Sequence, residues 1–292
     1  MSQFPNIRTR KQGMFLKQTG WVFLLLLAPA VAQAASVTLL VPPVWLERGE
    51  QTVALVPGTS LQAGDTLRTG DEAAVRLEPG DGSTLELDAG SALTVTELAP
   101  LRLSLDAGML RYAGPVGGFT EKLQLLAGRL QVEVNSGELL AGVRAGAGEL
   151  LLVAGEVRVA APAVELMALR YSEPRSWYRL DNGRMEQGQL DKEVVQRRIE
   201  ALRTDGRVDG LSEAGPWVAN LISLRDEDVA AGIVDELVAE GYPVRLSPTL
   251  VQGRQWHRVR LSGFADEAQA RELGNALAQR YGASRAWVYI PD

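Results

Sequence analysis

The spacing of apolar residues divides this chain into four stretches. Trp21 to Ala28 is one unbroken apolar run behind Arg8, Arg10, Lys11 and Lys17. From Ser36 to about Tyr171 the apolar residues recur with period two in short runs, which predicts β-strands. Between Gln189 and Arg203, Val194, Val195, Ile199 and Leu202 fall at helical offsets among charges, which predicts one amphipathic helix. From Pro216 to Ile290 the two periods take turns.

That last stretch predicts a compact βαββαβ unit. The apolar run Trp217 to Leu224 reads as a strand. Asp226-Glu227-Asp228 then opens a helix carrying Val229, Ile233, Val234, Leu237 and Val238, with acids at the positive end of its dipole and Gly241 as its stop. Pro243 to Val251 and Gln255 to Phe264 read as strands joined by a Gln252-Gly253-Arg254 turn. A second helix runs from about Asp266 to Tyr281, with Ala270, Leu273 and Leu277 on one stripe and Gly282 as its stop. Ser284 to Ile290 closes the sheet. The order is that of a split-βαβ sheet with both helices on one face.

Strand alternation then assigns the bare face. Val259 and Leu261 face the helices with Ala219, Leu221, Val288 and Ile290; Val218, Asn220, Trp256, Arg258, Arg260, Trp287 and Tyr289 face out. Aromatic rings interleaved with guanidinium and amide donors suit a flat polar polymer, whose rings stack and whose hydroxyls take hydrogen bonds.

Residues 216–292 resemble a SPOR domain, the sporulation-related repeat that binds bacterial peptidoglycan. The family's first strand reads roughly aromatic-x-V-Q-x-G-S-F, and here Trp217-Val218-Ala219-Asn220-Leu221-Ile222-Ser223-Leu224 stands in its place. Its third strand reads roughly W/Y-x-R-V-x-x-G-P-F, against Trp256-His257-Arg258-Val259-Arg260-Leu261-Ser262-Gly263-Phe264 here. The resemblance implies recognition of glycan strands stripped of their stem peptides, which accumulate at division septa. It carries glycan contact to Asn220, Ser223, Trp256 and Arg258; the open face adds Arg260 and Trp287. Asn220 stands where the family usually has Gln, and Ile222 and Leu224 replace Gly and Phe.

The β-rich stretch carries Gly turns at 80–83, 88–91, 106–108, 135–137 and 153–156, a spacing that predicts a sandwich, barrel or solenoid. A recurring strand-Ala-Gly-x-apolar phrase at Ala107-Gly108, Ala127-Gly128 and Ala154-Gly155 points toward stacked rungs. Pro57 to Gly70 followed by Val75 to Ser83 resembles the core of a FecR-type domain, G-x-x-L-x-x-G-D-x-L-x-T-G, a strand, then a D-G-S turn. That module does not bring the iron-signalling function of its name with it. Asp65, Asp71, Asp81 and Asp88 each stand in a turn beside Gly, the turn-forming use of Asp, and none has calcium-loop spacing.

The expected organisation is therefore a signal peptide at 1–34, a FecR-like all-β domain at 35–171, a linker with one amphipathic helix at 172–215 and a SPOR domain at 216–292. In the linker, Glu173 to Tyr178 and Leu180 to Arg184 read as loop and turn, Trp177 and Tyr178 as docked on the β-domain, and Thr204 to Gly215 as flexible, with few contacts crossing it. Ala32-Gln33-Ala34 fits the small-x-small cleavage rule and predicts a mature start at Ala35. The apolar run is shorter than the roughly 20 residues of a spanning helix. The expected location is thus the periplasm, with an inner-membrane anchor as the alternative where the signal stays uncleaved, and no stable membrane span after cleavage.

Composition narrows the function. There is no cysteine, which removes disulfides, thiol catalysis and a lipoprotein anchor. The net charge of −6 argues against a nucleic-acid partner. So does the C-terminal unit itself, with eight arginines and no lysine against ten Asp and Glu, a net −2. The one histidine, His257, falls on the helix-facing side of its strand, as a core residue. No Ser/His/Asp set, metal-ligand cluster or spaced acid pair is present, so neither an enzyme nor a cofactor is expected. The reading is an exported peptidoglycan-binding protein. Its partners are glycan strands and, in the alternative, a membrane, envelope or division protein docked by the FecR-like domain in a regulatory or scaffold role.

Overall fold

The structure is a computed structural model that describes residues 35–114, 123–161, 164–170, 176–182, 184–202 and 210–291. The expected export signal lies outside the described residues. The described residues belong to one compact unit.

Fourteen strands among the described residues make one sheet. In chain order they are β1 Ser36–Val41, β2 Val44–Arg48, β3 Gln51–Ala54, β4 Thr66–Thr69, β5 Ala74–Glu78, β6 Thr84–Leu87, β7 Ala92–Leu98, β8 Leu101–Ala113, β9 Leu123–Ala127, β10 Leu130–Arg144, β11 Ala147–Ala161, β12 Val164–Arg170, β13 Ser176–Asp181 and β14 Arg184–Gln189. Neighbours pair antiparallel, except β8 with β9. Stacked solenoid rungs would pair in parallel, so the arrangement is a folded-over sheet rather than a rung stack. Its inward residues, among them Leu67, Val75, Leu85, Leu105, Leu110 and Tyr112, fill one core.

The fold-over happens where turns were expected. Asp106–Gly108, Asn135–Gly137 and Val153–Glu156 are bends inside the long strands β8, β10 and β11. At each bend the strand changes partner. The first half of β8 pairs with β7 and β9, the second with β6 and β10. Gly137 and Gly155 face each other across the β10–β11 pair, with φ of +110° and +98°. A side chain on Gly137 would collide with the Ala154 carbonyl oxygen, and one on Gly155 with that of Ser136. Only glycine combines that φ with that approach, so the sheet creases here instead of ending.

The joiner also differs from expectation. Ser176–Asp181 and Arg184–Gln189 are strands that extend the sheet through β11. Helix α1, Lys192–Leu202, follows and lays Val195, Ile199 and Leu202 on Leu140 and Leu151, with Trp177 packed beside them. Tyr178 packs on the main core. Leu211 to Gly215, read as flexible, is held: Leu40 and Leu211 exchange backbone hydrogen bonds at 3.0 and 2.6 Å, and the Ser212 amide donates to the Gly263 carbonyl at 2.8 Å. Thr204 to Val208 lie outside the described residues.

The C-terminal unit has the βαββαβ order: β15 Trp217–Leu224, α2 Glu227–Ala239, β16 Arg245–Val251, β17 Arg254–Phe264, α3 Glu267–Arg280 and β18 Trp287–Tyr289. Asp226 and Asp266 cap the two helices, accepting from the Val229 and Gln269 amides. The sheet order is β16-β17-β15-β18. Gly274 lets α3 lie close on Ala219 and Ala286. Two expected core residues are exposed: Val229 sits in the first turn of α2, and Ile290 lies past the end of β18.

This unit is not hung on a free tether. The Trp45 indole donates to the Ala239 carbonyl at 2.9 Å, and the Val44 amide to that of Gly241 at 3.2 Å. Leu211, fully buried, bridges Leu40 and Phe264, so one apolar core runs through both parts.

Candidate functional site

A bulge in β15 builds the open face. Asn220 pairs with Arg260 across β17, but the next pair is Ile222 with Val259, which leaves Leu221 as the extra residue. Leu221 and Ile222 both pack into the core. Ser223 therefore pairs with Arg258 on the open side, where strict alternation would have turned it under the helices. The Asn220 amide donates to the Ser223 hydroxyl at 3.0 Å. The short Asn side chain at this position is thus tied to the serine three residues on.

The six residues expected to bind glycan all lie on this face, in two groups. Trp287, Asn220 and Arg260 align across β18, β15 and β17. Ser223, Arg258 and Trp256 lie toward the hairpin end. Trp287 stacks on Tyr289 at 4.7 Å between centroids, and the Arg258 guanidinium lies 5.0 Å from the Trp287 ring. Arg260 covers Tyr289 at 5.7 Å and donates to the Thr249 hydroxyl at 3.3 Å. Among the described residues no ring stacks on Trp256; Arg225 covers it at 5.1 Å.

Several buried polar atoms on this face lack a partner among the described residues: Asn220 Oδ1, Arg258 Nε and Arg260 Nε. Asn220 is only 6% exposed. Buried polar groups are normally paired, so one acceptor, Asn220 Oδ1, and two N–H donors, Arg258 Nε and Arg260 Nε, left without partners beside stacked rings mark a surface built to exchange hydrogen bonds with a ligand.

At the hairpin end a recess of about 270 Å³ is bordered by Ser223, Arg225, Val251, Arg254, Trp256 and Arg258. Arg225 and Arg254 were not anticipated. Arg254 shares the parity of Trp256 and Arg258, so alternation could have found it; the turn reading hid it. Arg225 lies past the end of β15, where no periodic signal exists.

Charge is segregated within the unit. The nine carboxylate residues among its described positions lie in α2 and α3 or cap them, while Arg225, Arg245, Arg254, Arg258 and Arg260 lie on or beside the sheet. The net of −2 conceals a cationic face. His257 is buried on the other side, its Nε2 3.9 Å from the Glu227 carboxylate. No cluster of three metal-ligating side chains occurs among the described residues.

Residues 213–289 match the family model for the SPOR domain. This part of the chain is a SPOR domain. SPOR domains are peptidoglycan-binding modules, which supports cell-wall binding by this protein. The SPOR match covers β15 to β18, so the bulge, the rings and the arginines belong to it. No curated protein matches the chain. Two crystal structures of a candidate anti-sigma factor from Parabacteroides distasonis ATCC 8503 align at TM-scores of 0.40 and 0.39, with 14% and 15% identity over 78% of this chain and 99% of theirs. A likeness of that size carries no argument here. No helix among the described residues is long and apolar enough to cross a membrane.

Proposed function

We propose that this protein is an exported, non-enzymatic binder of peptidoglycan that holds peptide-stripped glycan strands on the open face of its SPOR sheet, at the division septum. Trp256 and Trp287 serve as stacking platforms. Asn220, Ser223, Arg258 and Arg260 supply the hydrogen bonds. The folded-over β-sheet, with its FecR-like opening motif, is the scaffold on which that face is presented. The observation that carries this reading is the row of buried, unpartnered Asn220, Arg258 and Arg260 atoms beside the stacked Trp287 and Tyr289 rings.

A fluorescent fusion exported by the native leader tests the location. A midcell band is the expected result, and even fluorescence around the cell would overturn the septal assignment. Co-sedimentation of the chain from Ala35 with sacculi, before and after enzymatic removal of stem peptides, tests the ligand. Pelleting should rise on peptide removal.

A further inference from the structure

A recess of about 550 Å³ lies on the β-rich part, far in sequence from the SPOR sheet. Alternation sets its floor. In β8, β9 and β10, Leu103, Leu125 and Val132 are buried in the core, so the residues on either side of each point outward. Register lines these up in two rows across β8 to β11. Arg102, Gln124, Glu133 and Arg158 make the first row; Ser104, Leu126, Gln131 and Ala160 make the second.

The uncharged groups suit a peptide. Gln124 and Gln131 carry side-chain amides with no hydrogen-bond partner among the described residues. They stand diagonally on neighbouring strands, about 7 Å apart. An extended peptide repeats every second residue, at about the same spacing. Each amide can donate to a peptide carbonyl and accept from a peptide N–H. Leu126, beside both, is an exposed apolar side chain. No aromatic side chain is among the described residues bordering the recess, so a sugar finds no ring to stack on.

The charges give the rest of the pattern. The first row reads cation, amide, anion, cation. Arg102 and Arg158 are three strand spacings apart, roughly 14 Å, the span of about four extended residues. Their present partners hold them loosely. Arg158 is 3.6 Å from Glu133, and Arg102 and Glu97, 2.7 Å apart, are both over two-fifths exposed. Exposed pairs of that kind are worth little, so a ligand carboxylate can take either guanidinium.

We infer that this recess is a second ligand site, for a short extended peptide with a carboxylate toward each end and an ammonium group between them. Resting on the wall-binding reading above for its source, that peptide is an uncrosslinked stem peptide of the wall, which combines several carboxylates with a free side-chain amine. The two parts of the chain then take different components of one polymer. Since one core joins them, each bound component raises the effective concentration of the other.

The test is calorimetric titration of the chain from Ala35 with free stem peptide released from sacculi by an amidase, and with the same peptide after its carboxylates are converted to primary amides. Wild type should bind the untreated peptide saturably and the amidated one at least tenfold more weakly, the loss of charge-assisted contacts. Arg102→Gln/Arg158→Gln should lose roughly a hundredfold for the untreated peptide, about tenfold for each contact. Gln124→Ala/Gln131→Ala should lose about tenfold for both peptides. Trp256→Ala should bind the peptide as wild type does. The site is overturned if wild type does not bind the peptide, if amidation changes nothing, or if either double variant binds as wild type. Loss of peptide binding in Trp256→Ala would place the peptide on the SPOR sheet and overturn it too. Pelleting with stripped sacculi, which carry no stem peptide, reads the glycan site separately. Arg102→Gln/Arg158→Gln should pellet there like wild type. Wild type that binds the peptide but not stripped sacculi would leave this site standing and remove the glycan reading.

Discussion

Trp256 and Leu221 sit on opposite sides of one sheet and should respond in opposite ways to truncation. Trp256 is half-buried on the open face, and an anchor aromatic removed from such a site costs about 2 kcal/mol or more of binding, roughly thirtyfold in affinity. Trp256→Ala should therefore fail to pellet with stripped sacculi while melting as wild type does. Pelleting of Trp256→Ala and Arg258→Ala at wild-type levels would mean that glycan binds elsewhere. Leu221 is 1% exposed under α3. Leu221→Ala should lose about 2–5 kcal/mol of stability, read as a fall in denaturant midpoint. A third residue matters for the β-sheet. Glu86, 1% exposed, accepts from Arg76 at 2.8 Å and Arg111 at 2.7 Å, and Arg111 also holds Glu138 at 2.9 Å. Burial works against the Arg111 charge, but its bonds to Glu86 and Glu138 outweigh this and hold its pKa above the ordinary value. Glu86→Gln leaves Arg111 under-compensated and should cost about 3 kcal/mol, at the level of a broken buried pair. An unchanged denaturant midpoint would show that Glu138 alone suffices to hold Arg111.

Among the elements, the bent strands and the paired helices carry different kinds of constraint. The crease at Gly137 and Gly155 is steric, so Gly137→Ala should destabilise the sheet by more than about 2 kcal/mol. A stable Gly137→Ala protein would mean that β10 can shift its register without loss. The constraint between α2 and α3 is electrostatic: both Arg280 guanidinium nitrogens Nη1 and Nη2 donate to the Glu240 carboxylate at 2.6 Å. That hydrogen bonding holds the Glu240 carboxyl below its ordinary value against a small desolvation. A carboxylate lowered in the folded state contributes stability that is present above its unfolded value, about 4.3, and is lost as pH falls below that through the folded value. The pair is over a third exposed, so solvent screening limits the effect to a few tenths of a kcal/mol. Arg280→Gln should reduce stability at pH 7 by that amount and converge with wild type near pH 3. A gap that persists at pH 3 would locate the Arg280 contribution in packing.

For the whole molecule the decisive feature is the junction. Leu211 belongs at once to β1 and to the end of β17, and Trp45 grips the end of α2. One core through both parts predicts one calorimetric transition rather than two. It also predicts that a chain cut within residues 203–209 still elutes as a single species on gel filtration. Separate elution of the two pieces would show that the Leu211 junction is too weak to hold them. Leu211→Asp should split the transition, because an unpaired carboxylate would then sit in the shared core. A Leu211→Asp chain that still melts in one step would mean that the Trp45 contacts alone couple the parts.

Local pattern determined much of this on its own. The βαββαβ order, the glycine stops of both helices at Gly241 and Gly282 and the outward placement of Trp256, Arg258, Arg260, Trp287 and Asn220 follow from period, turn residues and alternation, which act over a few residues. The strands 74–77, 84–87, 93–95 and 101–105 were legible for the same reason. Ser223 was different: alternation put it under the helices, and only a family resemblance placed it in the site. The bulge at Leu221 that turns it outward is a mismatch between two strands, which neither strand encodes alone. Glycines 108, 137 and 155 look like turns locally, and become creases because partner strands continue past them. The segment near Leu211 is polar and glycine-rich, so its burial depended on surfaces more than a hundred residues apart meeting over it. Tertiary structure likewise decided the charge of the face, since carboxylates and guanidiniums that nearly cancel in composition are held on opposite sides of the sheet.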